Sequence, residues 1–309
     1  MDQQSWLTDR FEENRPLLRG VAYRMLGSLG EAEDAVQEAW LRLNRIDPAT
    51  VENLAGWLTT VVSRVCLDML RSRRSRREQP IGAQVTERSV ARGEGADPEG
   101  EALLAESIGV ALLVVLDTLK PAERLAFVLH DVFAMPFDEI GSILERSPAA
   151  AKQLASRARR RVHGSPAPSN GGRDRQREVV EAFLRAARAG DLEGLLAVLD
   201  PDAVLRIDAA SRFDGVVRVD APAADTGKAR ELRGASMWAK QLIALTRGLQ
   251  FPTSGFVQPV LINGSVGLVL APHGHLLRAL IFTFRDDKVT RLESIADPAR
   301  LRELDIAVL

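Results

Sequence analysis

The stretch from residue 136 to residue 162 constrains the fold most, because it reads as two short helices joined by a tight turn. In the first helix apolar residues recur at helical spacing, and Asp138 and Glu139 occupy the first turn, where the helix dipole favours carboxylates. Ser147 then precedes Pro148, a pair typical of a helix start, since serine caps unpaired N–H groups and proline at the first position loses no hydrogen bond. The stretch therefore predicts a helix-turn-helix motif.

The second helix of this motif has an outward face suited to the major groove of DNA. Its predicted apolar stripe consists of Ala151, Leu154, Ala155, Ala158 and Val162. The predicted DNA-contacting residues are small and polar at the helix start and basic towards its end: Ser147, Ala149, Ala150, Lys152, Gln153, Ser156, Arg157 and Arg160. No acidic residue occurs between residues 146 and 173. A solvated basic helix without a role in binding is the alternative.

Length and composition limit the class of protein. A chain of 309 residues is long for one helical core, which predicts two or three domains. The net charge is −1, so any surface that binds nucleic acid must be local. The single cysteine, Cys66, excludes an internal disulfide and is typical of a reducing compartment. No apolar run approaches the roughly 18 residues of a membrane span, so we expect a soluble cytoplasmic protein without membrane contact.

Residues 1–77 are predicted to form a first, helical domain. Asn14 before Arg15 and Pro16 predicts the start of one helix, and Gly27 predicts its end. The spacing of Ser28 and Glu31 is that of a capping box, which predicts the start of a second helix. The second helix is expected to expose a densely acidic face. The residues of this face are Glu33, Asp34, Gln37 and Glu38.

A long third helix with an arginine-rich tail is expected after Asn53, its predicted cap. The apolar stripe of this helix is predicted to be Leu54, Leu58, Val61, Val62, Val65 and Met69. Arginines in the tail are suited to bind phosphates. The predicted DNA-contacting residues lie away from the stripe or in the tail: Thr60, Ser63, Arg64, Arg71 and Arg74.

Two linkers separate the later domains. Residues 78–105 combine glycine, proline and acidic side chains, which predicts a flexible acidic linker. Helices are expected to resume in a second domain, residues 106–163, that ends with the helix-turn-helix motif. Residues 164–173 are mostly turn formers and predict a second linker.

Residues 174–309 are predicted to form a third domain of helices and strands. An amphipathic helix ends at Gly190, and later strand-like runs are joined by hairpin turns at Asn263-Gly264 and Asp286-Asp287. Polar or aromatic side chains that could face a pocket are Arg206, Asp208 and Trp238. Nothing in their spacing brings a catalytic group or a metal site together, so we expect no enzyme activity, no metal and no cofactor.

Two segments of the first domain closely resemble domain two of the extracytoplasmic-function (ECF) sigma factors of RNA polymerase. They are residues 32–41, AEDAVQEAWL, and residues 57–62, WLTTVV, leading into residues 68–71, DMLR. Together with the helix-turn-helix motif, the resemblance covers residues 5–163. It implies that the acidic face binds the coiled coil of the polymerase beta-prime subunit. It also implies that about residues 44–77 hold the promoter minus-ten element and that the Ser147 helix reads the minus-thirty-five element.

The third domain resembles the SnoaL-like branch of the nuclear-transport-factor-two-like fold over residues 174–300. This resemblance implies a multidomain fold, in which two all-α sigma domains precede an α+β cone-shaped barrel whose pocket has room for a small ligand. A group of ECF sigma factors carries such a domain. This chain departs from that group, since residues 77–82, REQPIG, replace a Trp-Leu-Pro-Glu-Pro motif, and residues 225–228 and 297–301 match two further motifs only in part.

These resemblances imply a sigma factor that binds core RNA polymerase and promoter DNA, with a third domain that contacts the sigma domains and modulates their activity. One alternative is a one-component helix-turn-helix regulator with a ligand-sensing C-terminal domain. The other is a SnoaL-like enzyme tethered to DNA. The segment from Asp34 to Trp57 favours the sigma factor, because a repressor does not need it.

Overall fold

The computed structural model describes residues 3–46, 51, 53–78, 109–164, 170–208, 230–248 and 257–309. The chain divides into two units: the first comprises Met1–Ser107 and Leu116–Arg160, and the second comprises Ile108–Val115 and Arg161–Leu309. The predicted acidic linker, apart from the end of the preceding helix, lies outside the described residues. Residues 165–169 of the second predicted linker also lie outside them.

The described part of the first unit is helical. Its helices are α1 (Gln3–Leu26), α2 (Leu29–Leu43), α3 (Leu54–Glu78), α4 (Val110–Thr118), α5 (Pro121–Phe127), a π-helical turn (Val128–Val132), α6 (Phe137–Leu144) and α7 (Pro148–His163). The first part of α4 and the last residues of α7 belong to the second unit. α3 is the central helix of the first unit, because it contacts α1, α2, α5 and α6.

The predicted start of the first helix is wrong, whereas its predicted end is confirmed. α1 begins at Gln3 and continues through Pro16. Proline inside a helix removes one backbone hydrogen bond, but packing against α2 and α3 stabilises α1 as a whole. At the other end, Gly27 has a φ of 74° and donates its N–H to the Tyr23 carbonyl, as expected for a glycine that ends a helix.

The predicted starts of α2 and α3 are confirmed. The Ser28 hydroxyl accepts a hydrogen bond from the Glu31 N–H at 3.5 Å, and the Asn53 side chain accepts one from the Gly56 N–H at 3.0 Å. The carboxylate of Glu31 pairs with Arg73 of α3. The second residue of the predicted capping box therefore connects two helices.

The described part of the second unit combines helices with a mixed sheet. After the α4 and α7 segments, its elements are α8 (Asn170–Ala189), α9 (Leu192–Val198), β1 (Leu199–Ile207), β2 (Arg230–Arg233), α10 (Ala235–Gly248), β3 (Val257–Ile262), β4 (Ser265–Leu270), a short 3-10 turn (Pro272–Gly274), β5 (Arg278–Arg285), β6 (Lys288–Ile295), α11 (Pro298–Glu303) and β7 (Ile306–Ala307). α8 begins inside the stretch predicted as the second linker, and β2, α11 and β7 were not predicted.

The sheet has the strand order β2-β1-β6-β5-β4-β3-β7, in which β1 and β6 are parallel and the other neighbours are antiparallel. Both predicted hairpin turns are confirmed. Asn263 and Gly264 have φ values of 51° and 85°, and Asp286 and Asp287 have values of 49° and 59°. Two successive positive φ values are typical of the turn type that matches the twist of a hairpin.

The core of the second unit lies between the sheet and the helices α8 and α10. The ring centroids of Phe183 and Phe282 are 5.3 Å apart, and those of Phe183 and Trp238 are 6.1 Å apart. Helical segments followed by a mixed sheet confirm the predicted layout of the chain. Among the described residues, no helix combines the length and apolar character needed to cross a bilayer.

Candidate nucleic-acid interface

The helix-turn-helix motif has the geometry expected from its sequence. α6 ends at Leu144 and is followed by Glu145, whose φ is 55°, and the Arg146 N–H donates to the Gly141 carbonyl at 2.9 Å. A Cβ atom on Gly141 would lie 2.7 Å from the Arg146 carbonyl oxygen, so this turn needs glycine there. The Ser147 hydroxyl accepts from the Ala150 N–H at 3.2 Å, which confirms the predicted start of α7.

The two faces of α7 separate as the sequence predicts. All five residues of the predicted apolar stripe are buried. The predicted DNA-contacting residues Ser147, Ala149, Lys152, Gln153, Ser156, Arg157 and Arg160 are exposed, and Ala150 is partly exposed. A helix with a small, polar start and a basic end is therefore presented to solvent, anchored by its opposite face.

Two arginines of α7 form ion pairs with neighbouring helices. Arg157 Nε donates to Glu123 Oε1 at 3.1 Å, and Arg159 Nε donates to Asp131 Oδ1 at 2.6 Å. The Glu123 side chain is only 7 % exposed, whereas that of Arg157 is 48 % exposed. The hydrogen bond to Asp131 raises the pKa of Arg159. Arg157 thus orients α7 on α5 while part of its guanidinium remains at the surface.

The acidic face of α2 is divided into paired and solvent-facing carboxylates. Glu33 pairs with Arg15 at 3.3 Å and with Arg19 at 2.9 Å, both on α1. Glu38 pairs with Arg42 at 2.8 Å. Asp34 and Gln37, the remaining two predicted polymerase-binding residues, are exposed. Asp34 and Gln37 are therefore the side chains of this face that are most open to a partner.

The predicted DNA-contacting residues of α3 lie in different environments. Arg64 and Arg71 are exposed and Thr60 is partly exposed, but Ser63 is fully buried. Arg64 Nη2 donates to the Ser142 carbonyl of α6 at 3.3 Å, and Arg71 pairs with Asp68 at 3.7 Å. The last residue of this set, Arg74, belongs to α3, and its side chain is outside the described part.

Sequence reasoning missed Arg124, a buried arginine of α5 that reaches the N-terminal helices. It is 2 % exposed, its Nε donates to the Arg24 carbonyl of α1 at 2.9 Å, and its Nη1 donates to Asp117 at 3.4 Å. Burial lowers the pKa of Arg124 to about 10, and Asp117 opposes this shift, so the guanidinium stays charged at neutral pH. In the sequence, the one indication of burial is that apolar residues follow Arg124 in the segment Pro121–Phe127, PAERLAF.

The three predicted pocket residues of the second unit are not brought together. Arg206 is exposed on the face of β1 opposite Leu205, which belongs to the core. Trp238 is fully buried in that core, and its indole Nε1 has no hydrogen-bond partner among the described residues. Asp208 is 9 % exposed and accepts hydrogen bonds from the N–H groups of Ala296 and Asp297, each at 2.8 Å.

Asp208 belongs to a buried polar cluster that the sequence did not reveal. Arg278 Nη1 donates to the Ser294 hydroxyl at 2.6 Å, and burial lowers the pKa of Arg278 while Asp208 opposes the shift. Asp297 in turn accepts from the N–H groups of Ala299 and Arg300 and caps α11. Because each carboxylate is used to fix backbone groups, this cluster has the geometry of a structural network.

A cleft of about 280 Å³ lies elsewhere in the second unit. It is lined by His163, Arg173, Asp174, Arg177, Leu261, Val308 and Leu309. None of the three predicted pocket residues lines this cleft. Among the described residues, no cluster of three or more His, Cys, Asp or Glu side chains is placed to hold a metal ion.

Comparison with known proteins finds two family matches in the helical part of the chain. Residues 10–76 match the family model described as Sigma-70 region 2, and residues 109–162 match that described as Sigma-70, region 4. The ECF RNA polymerase sigma factor SigJ of Mycobacterium tuberculosis is 40 % identical over 296 residues, which cover 93 % of this chain and 91 % of SigJ. The probable ECF sigma factor SigI of the same species is 38 % identical over 221 residues, covering 72 % of this chain and 75 % of SigI.

Among solved structures, the crystal structure of M. tuberculosis SigJ covers 95 % of this chain and 97 % of its own, at 33 % identity and a TM-score of 0.42. The family assignment rests on the identity to SigJ along nearly the whole chain. Both sigma-70 matches fall on the helices that carry the acidic face and the helix-turn-helix motif. The chain therefore belongs to the ECF sigma factors, which direct RNA polymerase to promoters at the start of transcription.

Proposed function

We propose that the chain recruits core RNA polymerase through α2, holds the minus-ten element with α3 and reads the minus-thirty-five element with α7. The observation that carries this proposal is the arrangement of α7, whose apolar stripe is buried while its predicted DNA-contacting face is open. Small residues at the helix start allow close approach to base edges, and Lys152 and Arg160 provide charges for phosphates. The acidic face of α2 offers charge complementarity to a basic helical partner, here the beta-prime coiled coil.

The second unit, in this proposal, is a SnoaL-like domain that modulates the sigma domains without catalysing a reaction. Its helix-packed mixed sheet supports the fold assignment. The use of Asp208 and Asp297 as backbone caps argues against general acid or base chemistry at this cluster. The sequence carries equal numbers of basic and acidic residues over residues 174–309, which gives this domain no electrostatic reason to bind DNA.

The match to sigma-70 region 2 distinguishes this proposal from the one-component regulator, since an operator-binding repressor needs no polymerase-binding module. A tethered SnoaL-like enzyme would need converging catalytic groups, and the described pocket candidates do not converge. Because its task is to bind cytoplasmic polymerase, we propose that the protein acts in the cytoplasm. A small ligand of the second unit would act as a modulator of the sigma domains.

Substitutions on α7 should separate base reading from phosphate binding. Gln153→Ala should change the preferred minus-thirty-five sequence, with a change in the free energy of unfolding within about 0.5 kcal/mol because the side chain is exposed. Arg157→Ala should weaken promoter binding by about 1–3 kcal/mol if its guanidinium contacts a base. Binding should be measured by titration of a promoter library with the holoenzyme.

Arg157→Ala also removes the ion pair to the buried Glu123. The free energy of unfolding of this variant must therefore be measured in parallel with its promoter binding. Arg159→Ala is the matched control, because it removes an arginine that pairs with a neighbouring helix at a position outside the predicted contact set. Unchanged promoter selection in both the Gln153 and Arg157 variants would rule out α7 as the reading helix.

Charge reversal on α2 should weaken the complex with core polymerase and leave the fold intact. The variant combines Asp34→Lys with Glu38→Lys. Asp34 is exposed and Glu38 is partly exposed, so each substitution should change the free energy of unfolding by no more than about 0.5 kcal/mol. Binding to core polymerase should be compared with that of a Glu12→Lys, Glu13→Lys variant, which has the same charge change on the exposed side of α1. Equal retention of wild type and the α2 variant would refute the docking role.

A further inference from the structure

The cleft in the second unit is formed by elements that the fold already holds in place. One of them is the first half of α8, where the Gln176 side chain accepts a hydrogen bond from the Val266 N–H of β4 at 3.2 Å. Another is the tail after β7, where the Val308 N–H donates to the Val162 carbonyl at 2.7 Å. The end of α7, at His163, completes the lining. Three elements of one unit therefore meet at this cleft.

Part of the lining is apolar and continuous with the core. Leu261 of β3 is 5 % exposed and lies opposite Ala307 of β7 in the sheet. Gly164 has a φ of 68°, and a Cβ atom on it would lie only 3.1 Å from the Ala307 Cβ, so glycine allows the chain to pass close to β7 here. Val308 and Leu309 add further apolar surface to the cleft. An apolar group of a ligand can therefore leave water against these side chains.

Charged side chains of α8 line the same cleft. Arg173, Asp174 and Arg177 lie on one side of α8, because residues three and four positions apart are neighbours on a helix. Arg177 Nε donates to Glu181 Oε1 at 2.8 Å. This hydrogen bond raises the pKa of Arg177, and the charge of Asp174 makes a smaller contribution in the same direction. Glu181 is the one hydrogen-bond partner of Arg177 among the described residues, so both Nη groups are open to a carboxylate of a ligand.

Two further polar side chains of the lining are open to a ligand. Asp174 and His163 are exposed, and their side chains form no hydrogen bond or ion pair within the part of the chain that the structure describes. The Asp174 carboxylate can accept a hydrogen bond from an N–H group of a ligand, and the His163 ring can donate one to a carboxylate. The cleft therefore offers both donors and an acceptor beside an apolar surface.

These three features match the three parts of an apolar amino acid. The arginines suit its carboxylate, Asp174 suits its ammonium group, and the apolar lining suits its side chain. The volume of about 280 Å³ is close to the lower limit of small-molecule pockets, roughly 300 Å³, so the ligand must be small. A simple anion such as phosphate would use only the arginines and would be repelled by Asp174.

We infer that this cleft binds a free α-amino acid with an apolar side chain, and that this ligand modulates the second unit. The modulating part of the inference rests on the proposed function of this unit. A ligand held by both His163 and α8 joins the end of α7 to the start of α8. Binding should therefore favour the conformations of the second unit in which these elements lie together.

Calorimetric titration of the full chain with four related probes tests the chemistry of the cleft. The probes are leucine, glycine, which lacks the apolar side chain, isocaproic acid, which is leucine without its amino group, and isoamylamine, which is leucine without its carboxylate. We expect leucine to bind most tightly and each of the other probes to bind about tenfold more weakly or worse, since each lacks one of the three contacts. Absence of leucine binding, or equal affinities for leucine and isocaproic acid, would overturn the inference.

Substitutions on α8 assign the binding to this cleft. Arg177→Gln should weaken leucine binding about tenfold, because it removes a charged partner of the carboxylate. Arg175→Gln is the matched control, since Arg175 is also an exposed arginine of α8 with one ion pair, to Asp287, and lies outside the cleft. Asp174→Asn should remove the preference for leucine over isocaproic acid, whereas a purely structural effect would weaken both probes equally. Equal leucine affinities of the Arg177 and Arg175 variants would overturn the assignment.

Transcription with purified core polymerase tests the modulating role. Saturating leucine should change promoter-dependent transcription several-fold with wild type and with Arg175→Gln, and a leucine concentration that saturates wild type should have less effect with Arg177→Gln. Leucine that binds but leaves transcription unchanged would overturn the modulating role. Absence of transcription with and without leucine would instead refute the proposed sigma-factor function. The titrations need no polymerase, so they distinguish a failure of the site from a failure of that function.

Discussion

Trp238→Ala should lower the free energy of unfolding of the second unit by about 3–5 kcal/mol, the range typical of a large aromatic side chain removed from a core. Trp238 is fully buried between α10 and the sheet and lies 6.1 Å from the Phe183 ring. Removal of the indole should therefore leave a cavity in this core. Hydrogen exchange of the β5 and β6 amides measures this loss directly in the full chain.

Trp238→Phe is the matched control for that substitution. Phenylalanine keeps an aromatic ring in the core and removes the indole N–H, which has no partner among the described residues. Removal of a buried donor without a partner is favourable, and this gain offsets part of the cost of the space that the smaller ring leaves. We therefore expect the free energy of unfolding to fall by less than about 1.5 kcal/mol. Equal destabilisation by phenylalanine and alanine would show that the indole N–H makes a hydrogen bond essential to the unit.

Truncation after Gly172 should change transcription by several-fold in a purified system, in either direction. Within the second unit, the Val308 N–H donates to the Val162 carbonyl at 2.7 Å, at the end of α7. A Cβ atom on Gly274 would lie 2.7 Å from the Leu113 Cβ of α4, so these backbones are in close contact. Truncation removes the first contact from the end of α7 and the second from α4. A change in those contacts shifts the population of conformations of these helices.

The truncation and the core substitution test the same role by independent routes. If the second unit acts as a folded modulator, Trp238→Ala at a temperature that unfolds this unit should move transcription in the same direction as the truncation. Trp238→Phe should leave transcription near the wild-type level at that temperature. Transcription that is unchanged by truncation would exclude a regulatory role and favour a separate ligand-binding role for the second unit.

Features set by local chemistry were predicted well from the sequence. Ser147 and Pro148 determine where α7 begins, and the buried stripe of α7 follows from helical spacing alone. The two hairpin turns follow from the left-handed conformations that Asn, Asp and Gly tolerate. In each case the residues that specify the structure are neighbours in the sequence.

Features set by contacts between distant residues were not predicted. Pro16 lies inside α1 because packing against two other helices outweighs one lost hydrogen bond. The parallel pairing of β1 with β6 joins segments far apart in the chain, and β7 is only a two-residue strand on β3. The burial of Ser63 depends on the helices that pack against α3, which a helical pattern within α3 does not reveal.

The candidate sites show the same division. The exposed face of α7 was predicted residue by residue, because periodicity determines which side chains face outward. Arg206, Asp208 and Trp238 were grouped by residue type alone, and the strand alternation of β1 places Arg206 on the other side of the sheet from the core.

Run-off transcription with purified core RNA polymerase tests the sigma-factor function most directly. The template should carry the two promoter elements selected by the holoenzyme, and a second template should carry a scrambled minus-thirty-five element. We expect specific transcripts only when the full chain is added, strong loss on the scrambled template, and similar loss when Gln153, Arg157 and Arg160 are all replaced by alanine. Equal transcript yields with and without the chain would contradict its role as a sigma factor.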